Sequence, residues 1–214
     1  MADNTKNKEV ANPYLVYEYE ECGVRCYNVR RSHHGGIFGA EGMAHARVAV
    51  TEINMPVQDI QAAWFKASQR AAWDKTLTHA SVLESLSDSL ECVRLKGQPG
   101  YFVPARDYIL HAWRAAGAAA GLSDFNTAVV VSADASDEAP AHWTSVRGQM
   151  NSVLVLQPRG ASTEVVHICE FNYAGWVWSY WVDIYAGRIA RSLQYLKEEM
   201  EGNDDGEDDG SASV

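Results

Sequence analysis

Cysteine and proline are scarce in this chain, 4 and 6 among 214 residues, and the short motifs of common catalytic chemistries are missing. Cys22, Cys26, Cys92 and Cys169 are too few and too scattered for a disulfide framework, and no Cys-x-x-Cys pair occurs. The seven histidines (33, 34, 45, 79, 111, 142 and 167) lack ligand spacing such as His-x-x-x-His, so no metal site is expected. There is no Gly-x-Ser-x-Gly elbow and no P-loop. Glycines 35, 36, 39 and 42 lead into a strand-like stretch rather than a helix, which excludes a dinucleotide fingerprint. No cofactor is implied.

Long apolar runs are also missing. The longest uncharged one, Phe171 to Val182, has 12 residues, against roughly 20 for a spanning helix. The polar start MADNTKNKEV has no apolar signal-peptide core, and Ala rather than Gly follows Met1, so no N-myristoylation is expected. These features predict a soluble, cytoplasmic protein. A basic excess is missing too. Of the 28 acids, eight follow Lys197, where no Lys or Arg remains, so the net charge of −10 shrinks to −2 over residues 1–197. A nearly neutral body does not capture nucleic acid electrostatically.

What is present is one domain. Residues 1–12 and 202–214 read as disordered ends, the second an acidic tail, and the domain runs over 13–201. Strand patterns fall at 14–20, 24–31, 44–54, 79–86, 89–95, 107–115, 126–133, 143–150, 152–157 and 163–171, with Cys22-Gly23 as a turn between the first two. Pro56 opens a helix in which Val57, Ile60, Ala63, Trp64 and Ala67 share a face. In the last strand Val165, His167, Cys169 and Phe171 face one way and Glu164 and Glu170 the other. From Ser179 to Met200 the period becomes helical, through Trp181, Tyr185, Ile189, Leu193, Leu196 and Met200. A long antiparallel sheet with one long C-terminal helix is an α+β design in which the helix buries its stripe on the sheet.

Four segments occur in a telling order. Gln69-Arg70-Ala71-Ala72-Trp73-Asp74 follows the first helix, and Pro104-Ala105-Arg106-Asp107-Tyr108-Ile109-Leu110 opens a strand. Val146-Arg147-Gly148 precedes a strand ending at Gln157-Pro158, and Gly175-Trp176-Val177-Trp178-Ser179-Tyr180-Trp181-Val182-Asp183 leads into the long helix. Across about residues 14–200 this series resembles the START (StAR-related lipid-transfer) family. Trp178, Tyr180 and Asp183 replace that family's usual Pro, Trp and Asn, which marks a divergent member.

The resemblance implies a helix-grip fold: a curved antiparallel sheet of about nine strands around the C-terminal helix, with a tunnel for one lipid. It implies a non-enzymatic lipid carrier or sensor, acting as a monomer with transient contact to a membrane surface. By the same resemblance Tyr108, Leu110, Ala112 and Arg114 face the tunnel, with Met150, His167 and Tyr173 from other strands and Val182, Ala186, Ile189 and Leu193 from the helix. Sterol carriers of the family have an Arg–acid pair where this chain has Ala112 and, approximately, Val93, so phospholipid is expected over sterol. Ceramide remains a possible ligand class.

Plainer readings stand beside these expectations. Arg114 either meets a lipid phosphate or is paired at the surface. His167 is expected to be a hydrogen-bonded core histidine. Trp113, Trp143 and Tyr173 could cage a choline headgroup or serve as core. In the glycine- and proline-rich loop 97–104, Tyr101, Phe102 and Val103 are expected to form a lid that touches the membrane. Two other functions stay open: a helix-grip cyclase or hydrolase, and a lipid-gated interaction module whose acidic tail meets a basic partner.

Overall fold

The computed structural model describes residues 15–29, 45–98, 104–116, 127–140, 145–174 and 179–202, with the side chains of 179–186 left out. The expectations for the two ends, for Tyr101, Phe102, Val103 and Trp143, and for the side chains of Val182 and Ala186 lie outside these described parts.

The chain begins with β1 (Leu15–Glu21), β2 (Val24–Val29) and β3 (His45–Ile53). Cys22 and Gly23 both have positive φ, 50° and 71°, which makes the tight hairpin turn expected at that pair. Two helices follow, α1 (Val57–Phe65) and α2 (Ala67–Trp73). The sequence predicted a single helix with Ala67 inside it. The chain instead leaves helical geometry at Lys66 (φ −69°, ψ 79°), and the new direction sends Arg70 and Trp73 inward.

The remaining strands are β4 (Leu77–Ser87), β5 (Leu90–Gly97), β6 (Arg106–Ala116), β7 (Ala128–Asp134), β8 (Val146–Arg147), β9 (Gln149–Arg159) and β10 (Ser162–Asn172). The expected break between 150 and 152 falls at Gly148, which splits the two-residue β8 from β9. Helix α3 (Ser179–Glu201) ends the fold, and Gly202 stops it at φ 77°.

The strands lie in the order β1-β2-β3-β10-β9-β7-β6-β5-β4, all antiparallel, with β8 alone parallel on β6. Helices α1 and α2 carry the chain from β3 to the far edge at β4. This is the helix-grip arrangement: α3 packs its stripe on the inner face of the sheet, chiefly against β3 and β2. Leu193 and Leu196 are fully buried, in one core cluster with Leu154, Leu156, Leu110 and Val165. Burial of each such side chain contributes about 1.5–3 kcal/mol, so a one-sided stripe suffices to hold the helix in the grip. No described helix is long and apolar enough to cross a membrane.

Candidate functional site

The sheet and α3 do not meet everywhere. Between them lies a cavity of about 700 Å³, counting the space open to solvent at its mouth. It follows β10, where His167, Cys169, Phe171 and the next residue on that face, Tyr173, line it at every second position. Strand pairing sets Met150 opposite Phe171 and Ser152 opposite Cys169. Leu95 and Gly97 of β5, Arg106 and Tyr108 of β6, and Leu77 of β4 complete the sheet side. Arg188, Ile189 and Ser192, one stripe of α3 at steps of three and four, face them.

Arg70 and Asp74 mark one end. Asp74 is fully buried, and its Oδ2 accepts from Arg70 Nε at 3.1 Å and from Ser192 Oγ at 2.5 Å. Its Oδ1 accepts from the backbone N–H and hydroxyl of Thr76. The Arg70 guanidinium stacks 3.9 Å from the centre of the Trp64 ring and also donates to Ser192 Oγ. The Arg-x-x-Trp-Asp segment is thus a buried, mutually satisfied ion pair clamped to α3.

His167 also meets this indole, edge-on with ring centres 4.9 Å apart. It is 4% exposed, and among the described residues neither ring nitrogen has a hydrogen-bond partner. The hydrogen-bonded core histidine expected from the sequence is therefore corrected. Burial, helped by the Arg70 charge, holds its pKa down at about 3, so the imidazole is neutral. Burial also pushes the neighbouring Cys169 thiol up to about 12, which makes it a poor nucleophile.

At the other end Arg106 ties three backbone carbonyls together. Its Nε donates to Tyr173 O at 2.5 Å, Nη1 to Pro104 O at 2.7 Å and Nη2 to Ala174 O at 3.2 Å. Arg188 of α3 donates to Gln98 O. Asp107, next to Arg106, turns to the opposite face of β6, where Arg94 (3.3 Å) and Arg147 (3.2 Å) flank its fully buried carboxylate. The Arg-Asp and Val-Arg segments therefore brace the wall from behind.

Of the residues singled out in the sequence, the cavity brings together Tyr108, Met150, His167, Tyr173 and Ile189. Val93, Leu110, Ala112 and Leu193 are buried in the core rather than on its lining. Arg114 is not on it either: its guanidinium lies 4.9 Å from the Phe65 ring centre and donates to Asp88 O. Trp113 points to the outer face of the sheet beside Val131 and Val153. Among the described residues, then, the three-ring choline cage keeps only Tyr173.

Sequence reading missed Arg70, Arg106, Arg188, Ser152 and Ser192 as lining residues. Helical spacing from Ile189 would have found Ser192, and from Ser192 a further step of four finds Arg188. Arg70 needed the break at Lys66, which has no clear sequence signal.

The START domain family model matches residues 33–190 of this chain. Among solved structures, a STAR-related lipid transfer protein fragment from Xanthomonas axonopodis has 13% identity and a TM-score of 0.73, over 88% of this chain and 99% of that one. Human StAR-related lipid transfer protein 5 has 14% identity and a TM-score of 0.70, over 91% of this chain and 88% of that one. The search of curated proteins returned no match. At such identities the structural likeness speaks for the fold, and the family match speaks for descent: this chain belongs to the START domain family.

Proposed function

We propose that this protein is a lipid carrier that holds one phospholipid in the cavity and exchanges it with membranes during transient contact. The supporting observation is the cavity itself, a partly open space between sheet and α3 walled largely by Leu77, Leu95, Tyr108, Met150, Phe171 and Ile189. Each methylene moved from water into such a space contributes about 0.8 kcal/mol, so acyl chains supply most of the binding free energy. Phospholipid is preferred over sterol for two reasons. The positions of the sterol-type ion pair are Ala112 and Val93, both apolar and buried. Beyond the balanced Arg70–Asp74 pair, the described lining also carries two guanidiniums, from Arg106 and Arg188, and no carboxylate, which suits a phosphate.

The test is native mass spectrometry after incubation with mixed vesicles, followed by transfer of a fluorescent phospholipid between vesicle populations. A 1:1 phospholipid complex and protein-dependent transfer are expected. Absence of any lipid complex overturns the carrier reading, and preferential uptake of cholesterol overturns the choice of ligand.

A further inference from the structure

A neutral imidazole has one donor and one acceptor, and in His167 both are unspent. A buried polar group in that state costs free energy that the fold must make up elsewhere. Among the described residues nothing relieves it. The strand neighbours Ala49 and Leu154 offer no side-chain polar atom, and the Trp64 ring covers one side. Arg70, the nearest charged group, is already held by Asp74, Ser192 and Trp64. His167 nevertheless lines the cavity, at the end furthest along β10 from Tyr173. Both ring nitrogens are buried in the wall of the cavity without a partner among the described residues.

We propose that His167 recognises the bound lipid by donating a ring N–H to an uncharged carbonyl oxygen of it, the ester carbonyl of a glycerophospholipid. This deepens the carrier reading and rests on it. An uncharged acceptor fits the local electrostatics. The Arg70–Asp74 pair is internally balanced, so a second anion placed there would oppose the buried Asp74 carboxylate. The depressed pKa of the histidine also favours a neutral partner over one that would hold an imidazolium. The acyl chains then run along the apolar wall towards Tyr173.

The prediction separates ester from ether lipids, because an alkyl ether oxygen is a much weaker acceptor than an ester carbonyl. The full-length protein is offered vesicles with equal amounts of a diacyl phosphatidylcholine and its dialkyl ether counterpart, and the bound ratio is read by native mass spectrometry. The unaltered chain is expected to take the ester lipid about tenfold more often, the factor of one net hydrogen bond. His167→Leu is expected to take the two equally while melting no lower than the parent, because it removes an unsatisfied buried group. His167→Gln, which keeps an N–H donor, is expected to keep part of the preference.

Equal uptake by the unaltered chain overturns the inference whatever the variants do, and an undiminished preference in His167→Leu assigns recognition to another group. Uptake of neither lipid by the unaltered chain overturns the carrier reading along with the inference.

Discussion

Arg70 and Asp74 form an ion pair of 3.1 Å inside the protein, with the carboxylate fully buried and the guanidinium stacked on Trp64. The pair joins α2 to α3 through Ser192, and it does so beside the cavity. Removing one partner leaves a buried charge uncompensated. Asp74→Ala is expected to cost about 3–5 kcal/mol of stability. The double variant Arg70→Met/Asp74→Leu is expected to cost clearly less, because no charge is stranded. Urea unfolding at constant pH checks both, and a double variant as unstable as the single one would contradict the argument.

His167 couples stability to pH. Its folded pKa of about 3 lies below the ordinary 6.5, so the unfolded chain takes up a proton that the folded chain refuses. The stability associated with the neutral form is complete above pH 6.5 and is lost as the pH falls towards 3. Between pH 7 and pH 5 the loss is about 2 kcal/mol from this group. Parallel urea titrations of the parent and His167→Leu at those two pH values should differ in slope by that amount. Identical slopes would show that the imidazole is protonated in the fold.

Gly148 is held against a wall of the cavity. A Cβ added there would lie 2.6 Å from Cε1 of Tyr108, a lining residue. Gly148→Ala therefore has to push the ring aside, at a cost of about 1–3 kcal/mol. The ring is displaced from its place on the cavity wall, so lipid occupancy should change as well as melting temperature. A variant with parental melting and parental lipid uptake would show that the ring yields freely.

Arg106 serves three carbonyls at once, those of Pro104, Tyr173 and Ala174. Lysine cannot reproduce that planar fork. Arg106→Lys is expected to destabilise the fold by about 1–3 kcal/mol and to raise amide exchange around 172–174 more than in β3. Uniform exchange across the sheet would argue against a local tie.

Much of the fold was legible because strand and helix leave different periods in sequence. The alternation through Val165, His167, Cys169 and Phe171 gave β10 and its inner face, and the steps of three and four after Ser179 gave α3. The Cys22-Gly23 turn was legible for a similar reason, since only a few residues accept positive φ. Periodicity assigns a face, however, and says nothing about what stands opposite. Leu110 and Ala112 share the inner face of β6 with Tyr108, yet they pack into core while Tyr108 meets empty space.

The sequence by itself determined the α+β class, the inner faces and the ordered segments that resemble the START family, because these depend on local periodicity and on residues a few positions apart. Tertiary structure decided where the sheet and α3 separate, and so which inner residues are lining and which are core. It also decided that Arg70 and His167, 97 positions apart in the chain, both contact one Trp64 ring, and that among the described residues the arginine is partnered while the histidine is not. Hydrogen-bond satisfaction depends on distances between elements, and those are fixed only when the whole sheet has closed around the helix.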